Sequence, residues 1–317
     1  MSIAKYIREI GRGKEGARSL TQAQAHDLFC QVLDGRVTDL EIGAFALAMR
    51  IKGESIAELL GFCQATQERC LRLSSGKPCV VLPSYNGARR LPNLTALLAL
   101  LLAQEGINVL VHGSAPDGVR VSTVEIFHDL GLPIAWHADE IQAAWSRHSP
   151  ALVSIDTLCA PLARLLAVRR VVGVRNSGHT VAKLLSPCQG AATLRVVNYT
   201  HPEYAALLAE FMLHEGGHAL LMRGTEGEPV ADPRRSPKLD VYLAGQARID
   251  LSVSAQEGVI TELPLLPKGD DAAATALYIQ AVVSGVKPAP APMLRQVECI
   301  VGALAALASA SSKQQST

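Results

Sequence analysis

The stretch VTDLEIGAFALAMRIKGE, residues 37–54, has the sequence pattern of a capped helix. Asp39 is the predicted N-cap, the helical pattern continues through Met49, and Gly53 ends the helix. A short helix that is apolar on one side is stable only when it packs against a neighbour. We therefore expect further helices beside it.

Two such helices flank this stretch. Thr21 begins the first and Gly35 ends it, whereas Ser55 caps the second and is followed by Glu58 in a capping box. Three short, one-sided helices predict a small helical domain, which we place at residues 1–73. We expect its exposed apolar face to be a dimer contact.

Short apolar runs alternate with helical stretches after residue 78. The predicted elements lie at 80–82, 94–104, 108–112, 121–130, 134–136, 141–147, 194–197, 204–213 and 219–222. Strands that alternate with helices indicate an α/β domain with a central, mostly parallel sheet. We therefore predict a small N-terminal α-helical domain (1–73) hinged to a larger α/β domain (74–308), with a disordered tail (309–317).

The composition is that of a soluble globular protein, since 49% of the 317 residues are hydrophobic and only 4% are aromatic. Alanine and leucine must fill the interior, which favours packed helices over a β-sandwich and excludes a disordered chain. Seven scattered cysteines without a CxxC pair form neither a disulfide framework nor a zinc ligand set. The sequence has no recognisable secretory signal or membrane-spanning run, so we expect a cytoplasmic protein without a membrane partner.

Charge is segregated along the chain although the formal net charge is only +1. Residues 69–104 contain five Lys or Arg and residues 157–202 contain six, and neither block contains Asp or Glu. Two acid-free blocks of this kind indicate an anionic ligand.

The first acid-free block contains a loop between a predicted strand and a predicted helix. Its residues are Pro83, Ser84, Tyr85, Asn86 and Gly87, followed by Ala88, Arg89 and Arg90. Free N–H groups at a helix N-terminus attract anions, but a pyrophosphate cradle normally needs several glycines and only Gly87 is present. Arginine side chains can hold phosphates and Tyr85 can stack on a base. A solvated surface turn is the alternative interpretation.

The second acid-free block is rich in arginine. Its candidate phosphate-binding residues are Arg164, Arg169, Arg170, Arg175 and Lys183. Arg175, His179 and Lys183 follow one another at intervals of four, so they share a face if residues 176–185 are helical. Like charges at this spacing repel one another, which favours a phosphate-binding face over an ordinary solvated face.

Two short motifs match known patterns by coincidence. HEGGH, residues 214–218, matches the zinc pattern H-E-x-x-H, but its two glycines predict the end of a helix before a strand. Residues 11–16 match G-x-G-x-x-G, but no strand precedes them, so we interpret them as part of a basic N-terminal arm.

Residues 37–54 resemble the N-terminal domain of anthranilate phosphoribosyltransferase and its relatives in glycosyltransferase family 3. The resemblance extends over about residues 1–308, and it implies a homodimer with a nucleoside phosphorylase class II type fold. These enzymes hold the pyrophosphate of phosphoribosyl pyrophosphate with a G-T-G-G-D loop, and residues 83–87 stand in its place. We interpret these five residues as a vestigial phosphate loop.

Other catalytic motifs of the family are also altered. VHGS, residues 111–114, replaces K-H-G-N and lacks its lysine, whereas Arg169 matches an arginine on the anthranilate side. A Gly-Pro pair of that pocket is matched by residues 182–183. The magnesium-binding Asp-Glu pair has no counterpart in register, although Glu226 and Glu228 lie nearby and leave a residual metal site open.

Several longer motifs resemble one subfamily of these proteins. They are IGRGK (10–14), PSYNGAR (83–89), GVRNS (173–177), HTVAKL (179–184) and RGTEGE (223–228). This resemblance implies a homodimer that binds DNA and RNA without sequence preference.

The leading hypothesis is a sequence-independent nucleic-acid-binding homodimer on a phosphoribosyltransferase scaffold, without catalytic residues, metal or cofactor. The phosphate backbone would lie in a basic interdomain groove lined by both acid-free blocks, with Tyr85 stacking on bases. The alternative is an active phosphoribosyltransferase that uses phosphoribosyl pyrophosphate and Mg²⁺. A small phosphate ligand or a protein-binding role also stays open.

Overall fold

The computed structural model describes residues 2–13, 15–116, 118–190 and 192–314, without the side chains of 190 and 311–314. Its helices are α1 (Ala4–Ile10), α2 (Gln22–Leu33), α3 (Asp39–Lys52), α4 (Ile56–Gln67), α5 (Thr95–Gln104), α6 (Thr123–Asp129), α7 (Ala138–Ser146), α8 (Ile155–Leu158), α9 (Ala160–Ala167), α10 (Arg169–Val172), α11 (Ser177–Leu184), α12 (Glu203–Glu215), α13 (Ala272–Val283) and α14 (Ala291–Gln314). Its strands are β1 (Leu73–Ser75), β2 (Cys79–Ser84), β3 (Asn108–Gly113), β4 (Ile134–Ala135), β5 (Ala151–Ser154), β6 (Cys188–Gly190), β7 (Thr193–Tyr199), β8 (Ala219–Arg223), β9 (Leu239–Leu243) and β10 (Gln246–Ala247).

The chain forms two compact units. The helical unit contains Met1–Leu71 together with Ile155–Pro187, and the α/β unit contains Arg72–Ser154 and Cys188–Thr317. A small helical domain and a larger α/β domain are thus present, as predicted. The boundaries differ from the prediction, because residues 155–187 join the helical unit: α9 packs on α2, and α11 packs on α4.

The α/β unit is built on an eight-stranded sheet with the order β10-β9-β8-β7-β2-β3-β5-β4. Its strands are parallel except at one edge, where β9 runs antiparallel to β8 and β10 runs antiparallel to β9. Every residue of β2 and β3 is buried, as is typical of central strands covered on both faces. The mostly parallel sheet confirms the predicted fold class.

One helix of the α/β unit, α14, contains an apolar segment long enough to cross a membrane. This segment, Ala291–Ala310, has a mean hydropathy of 1.4 and is 44% buried. Met293, Ile300 and Ala303 belong to the main hydrophobic core, so packing explains the hydropathy of this helix. Residues 309–314, part of the predicted disordered tail, continue α14, and residues 315–317 lie outside the described residues.

Three capping boxes define the helices of the N-terminal segment. The box at Ser55 and the start of a helix at Thr21 were predicted, but the N-cap of α3 is Thr38 and not Asp39. The Thr38 hydroxyl accepts the N–H of Glu41, and the Glu41 carboxylate accepts the N–H of Thr38 in return. This reciprocal pair is available only from Thr38, so the helix begins one residue earlier than predicted, at Asp39.

The N-terminal residues are part of the packed helical unit, although the sequence predicted a basic arm. Ile3, Tyr6 and Ile10 are buried, and α1 packs on α3. Residues at intervals of three and four form this buried face, while the charged residues between them face solvent. Lys14, which belongs to the predicted arm, lies outside the described residues.

A buried ion pair joins the ends of α3 and α4. The carboxylate of Glu58 is fully buried and accepts the Lys52 ammonium at 2.7 Å. It also accepts the N–H of Leu20 at 3.0 Å and that of Ser55 at 2.8 Å. Because the two opposite charges are paired and the carboxylate is also hydrogen-bonded, this cluster fixes the end of α3, the start of α4 and the chain at Leu20 relative to one another.

Glu58→Gln preserves the size of the side chain and most of the capping box, but it removes the negative charge that pairs with Lys52. Because Lys52 is then buried without a counter-charge, we expect the free energy of unfolding to fall by about 3 kcal/mol. Urea denaturation followed by circular dichroism measures this loss. Glu125→Gln is the matched control, since Glu125 forms the same capping box with Ser122 but no ion pair among the described residues. Equal losses in both variants would contradict the prediction.

Candidate functional site

The loop between β2 and α5 is held by a buried carboxylate. Glu228, which is fully buried, accepts the N–H groups of Asn86 at 2.8 Å and Gly87 at 2.7 Å through one oxygen. Its other oxygen accepts the hydroxyl of Ser84 and lies 3.3 Å from that of Thr95. The protein itself therefore supplies an anion to the loop predicted to be a vestigial phosphate loop.

A second carboxylate continues this arrangement along the loop. Glu226 accepts the N–H groups of Arg89 at 3.2 Å, Arg90 at 2.8 Å and Leu91 at 2.9 Å. One of its oxygens also lies 3.6 Å from the guanidinium of Arg120. Five consecutive or nearly consecutive backbone donors of the loop thus face carboxylates from residues 226 and 228.

The glycines of the RGTEGE motif allow this close approach. A Cβ at Gly227 would lie 1.7 Å from the side-chain nitrogen Nδ2 of Asn86. A Cβ at Gly224 would lie 2.1 Å from the backbone carbonyl oxygen of Glu228. Glu226 itself has φ 51°, a left-handed conformation that is costly for a residue other than glycine. The favourable contacts of its carboxylate offset this cost.

The pyrophosphate and Mg²⁺ of the family enzymes do not fit this loop. A ligand pyrophosphate needs backbone N–H donors, and those of residues 86, 87, 89, 90 and 91 already bind carboxylates. A cation needs carboxylate oxygens, but those of Glu226 and Glu228 face N–H and O–H donors. The geometry therefore argues against the residual metal site that the sequence left open at these two residues.

Tyr85 occupies the centre of the same loop and contacts a buried histidine. Its hydroxyl lies 2.7 Å from Nδ1 of His112, which is fully buried in β3. Burial lowers the pKa of His112 from 6.5 to about 3, so the imidazole is neutral at physiological pH. The Tyr85 ring is half-buried with its hydroxyl engaged, and its stacking role stays a prediction.

The two arginines that follow this loop have exposed side chains. Arg89 and Arg90 are exposed, and they contact Glu226 through their backbone N–H groups. The surrounding block is acid-free in sequence only, because Glu226 and Glu228 come from 136 or more residues farther along the chain. Carboxylates thus offset part of the positive charge expected here.

The candidate residues of the second block lie in the helical unit. Arg164 is exposed but donates to the carbonyl oxygen of Leu33 at 3.0 Å, so it caps the C-terminus of α2. Arg169 and Arg170 are exposed in α10, the short helix that follows. Arg164 thus has a structural role that the sequence did not predict, whereas Arg169 and Arg170 are accessible to a ligand.

Three cations of this block influence the pKa of His179. The helix α11 begins after its N-cap Asn176, so Arg175 lies outside the predicted helical face that carries His179 and Lys183. The pKa of His179 is lowered to about 4. Burial is the largest cause, the positive charge of Arg175 comes next, and the charges of Arg169 and Lys183 contribute less. These charges therefore act on one imidazole even though the helix is shorter than predicted.

The two coincidental motifs have structural roles. In HEGGH, α12 ends at Glu215, Gly216 adopts a left-handed conformation, and β8 begins at Ala219. Glu215 pairs with Arg195, and Nδ1 of His218 accepts the N–H of Ala244. The predicted end of a helix before a strand is thus confirmed for HEGGH. Residues 11–13, 15 and 16 follow α1 and not a strand, so they lack the context of a dinucleotide site, and position 14 is not among the described residues.

Glu228→Ala should destabilise the α/β unit by about 3 kcal/mol or more, because two N–H groups and two hydroxyls lose a buried acceptor. Glu228→Gln should cost less than half as much, since the amide oxygen can accept both N–H groups while its NH₂ faces the hydroxyls. Urea denaturation with and without Mg²⁺ measures both effects. If Gln is as damaging as Ala and Mg²⁺ stabilises only the unsubstituted protein, the carboxylate is a metal ligand and our interpretation is wrong.

Comparison with protein families and known sequences identifies relatives of the chain. Residues 4–70 match the helical bundle domain of a glycosyl transferase family. The chain is 41% identical over 302 residues to the uncharacterized protein YbiB of Escherichia coli K12, covering 94% of this chain and 93% of YbiB. It is 27% identical over 288 residues to the anthranilate phosphoribosyltransferase of Methanothermobacter thermautotrophicus, covering 86% and 80% of the two chains.

Solved structures share the fold. The anthranilate phosphoribosyltransferase (TrpD) of Thermus thermophilus matches 97% of this chain and 89% of its own, with a TM-score of 0.72 and 20% identity. The enzyme of Saccharomyces cerevisiae in complex with PRPP and Mg matches 98% of each chain, with a TM-score of 0.63 and 13% identity. The chain therefore belongs to the anthranilate phosphoribosyltransferase-like (TrpD-like) family, as a YbiB-like member.

Proposed function

We propose that this protein is a cytoplasmic homodimer that binds the phosphate backbone of DNA or RNA without reading its sequence, and that it needs no cofactor to do so. The observation that carries the proposal is the cluster of cations at residues 169–183: Arg169 is exposed in α10, Arg175 directly precedes the N-cap of α11, and Lys183 lies near the end of that helix. Several cations in one short segment attract the negative charges of a phosphate backbone.

The chemistry of these side chains suits a phosphate backbone. Guanidinium groups bind two phosphate oxygens at once, and the Lys183 ammonium adds a point charge. Arg170 is exposed beside the cluster, and Arg89 and Arg90 are exposed in the α/β unit. The interdomain groove that would join both sets of arginines stays a prediction from the sequence.

Phosphoribosyl transfer is the second candidate function, and the shared fold favours it, since the yeast relative is described in complex with PRPP and Mg. The loop contacts of Glu226 and Glu228 weigh against it, because transfer requires stabilisation of a departing pyrophosphate. An assay of anthranilate phosphoribosylation with PRPP and Mg²⁺ separates the two candidates. Turnover at the rate of a family enzyme would favour transfer.

The homodimer is supported by an apolar stripe on α3. Leu40, Leu47 and Ile51 are 85%, 48% and 64% exposed, and their spacing places them on one side of the helix. A second copy of this chain would cover these side chains. Sedimentation equilibrium tests this part of the proposal, and a monomer at micromolar concentration would contradict it.

Charge reversal tests the mode of binding. We expect Arg175→Glu and Lys183→Glu each to weaken binding to unrelated oligonucleotides equally, by roughly tenfold at low salt, because each removes a phosphate contact. Each variant should also reduce the slope of log affinity against log salt by about one. Fluorescence anisotropy with scrambled oligonucleotides measures both effects. Arg147→Glu, an exposed arginine outside both acid-free blocks, is the control and should bind normally.

The imidazole of His179 reports on phosphate binding directly. A phosphate beside it favours the protonated form, so its pKa should rise from about 4 when an oligonucleotide binds. Between the two pKa values the complex takes up a proton, so affinity should increase as pH falls through the pKa of the bound form towards about 4. NMR titration of the imidazole resonances measures the shift, with exposed His128 as a control that should not respond. An unchanged His179 pKa in a saturated complex would place the ligand elsewhere.

A further inference from the structure

Three potential metal ligands of different chemistry meet between α2 and α4. His26 and Cys30 lie one turn apart on the same face of α2, and Glu68 directly follows α4. The ligand atoms of these three residues all lie within 4.8 Å of one another. All three belong to the helical unit and none is a candidate phosphate-binding residue.

The distances approach those of a tetrahedral zinc site. Nε2 of His26 lies 2.9 Å from Oε1 of Glu68 and 3.7 Å from Sγ of Cys30. With ordinary zinc–ligand bond lengths and tetrahedral angles, a nitrogen lies about 3.4 Å from a carboxylate oxygen and about 3.6 Å from a sulfur. Small rotations of the side chains would therefore bring these donors to zinc-binding distances.

The backbone holds the two helices close together at this point. A Cβ at Gly61 would lie 2.5 Å from the carbonyl oxygen of Gln22 and 2.7 Å from the N of His26. Only glycine at this position lets α4 approach α2 so closely. The approach fixes the spacing between the ligands of α2 and the C-terminal end of α4.

Burial and charge at the cluster also suit a cation. Cys30 is 8% exposed, whereas the side chains of His26 and Glu68 are 28% and 43% exposed, so the cluster opens to solvent on one side. Arg69 lies 3.5 Å from Glu68 and also interacts with Cys30, and its guanidinium pairs with the carboxylate of Asp34 at 2.6 Å. Asp34 thus offsets part of the positive charge beside the cluster.

We propose that His26, Cys30 and Glu68 form a zinc-binding site, with water as the fourth ligand. The nitrogen, sulfur and oxygen donors match the ligands that Zn²⁺ prefers, and the soft sulfur disfavours Mg²⁺ and Ca²⁺. On binding, the Cys30 thiol loses its proton to solvent and the thiolate bonds to the metal. The site is independent of the proposed nucleic-acid binding.

Cobalt is the probe that tests this proposal in the full-length protein after treatment with a chelator. One Co²⁺ per chain should produce a thiolate-to-cobalt charge-transfer band, and Zn²⁺ should remove that band by displacement. Cys30→Ser should abolish the band, and Glu68→Gln should weaken Zn²⁺ binding by at least about tenfold in competition with a chromophoric chelator. Cys63→Ser, a half-buried cysteine on α4, is the matched control and should retain both properties.

A second measurement covers the case in which Cys30→Ser does not fold. Zn²⁺ should raise the melting temperature of the unsubstituted protein and of Cys63→Ser, but not that of Glu68→Gln, whose change lies at the exposed edge of the cluster. Absence of the cobalt band in the unsubstituted protein would overturn the proposal. So would a band that survives in folded Cys30→Ser or disappears in Cys63→Ser.

Discussion

The contact of the Glu228 carboxylate with the backbone N–H groups of Asn86 and Gly87 is the constraint on which the site depends. A buried carboxylate must be hydrogen-bonded, and a loop of inward-facing N–H groups must find acceptors. Each group here satisfies the other, and Glu226 repeats the arrangement for residues 89–91. The backbone N–H groups of residues 86, 87 and 89–91 therefore have acceptors without a ligand. An incoming phosphate would have to displace a carboxylate and leave that carboxylate unpaired in the interior.

This contact changes which chemistry the scaffold can offer an anion. Backbone N–H groups at a helix N-terminus select a phosphate of defined shape and position. When these are occupied, the remaining attraction comes from side-chain cations on flexible stems, such as Arg169, Arg175 and Lys183. Such groups hold charge without demanding one geometry, which is appropriate for a polymer that presents many equivalent phosphates. The proposed function thus agrees with a loop whose backbone N–H groups already donate to Glu226 and Glu228.

Local signals in the sequence predicted much of the fold. The helix start at Thr21 and the capping box at Ser55 were recognisable because they depend on neighbouring residues, and the alternation of strands with helices indicated the parallel sheet. Neighbouring residues with similar preferences were harder to separate, which is why Asp39 was chosen over Thr38. The assignment of residues 155–187 to the helical unit depends on contacts with distant helices and has no local pattern.

The chemistry of the sites was less predictable for the same reason. Glu226 and Glu228 lie far along the chain from the loop that they contact. The first acid-free block therefore gave no sign in the sequence that two carboxylates lie beside it in the folded protein. The scattered cysteines argued against a zinc site, yet Cys30 lies close to His26 of the same helix and to Glu68, which follows another helix, and we propose that these three bind zinc. Spacing rules detect ligand sets only when most of the ligands are close in sequence.

The composition of the helical unit from two segments has a consequence for synthesis on the ribosome. Its first segment ends at Leu71 and its second begins at Ile155, so α2 and α4 emerge long before α9 and α11 can pack on them. During this interval the apolar faces that await the second segment stay uncovered while residues 72–154 are translated. Completion of the smaller unit must wait for part of the larger one, and the nascent chain passes through a stage at which chaperone protection is most valuable.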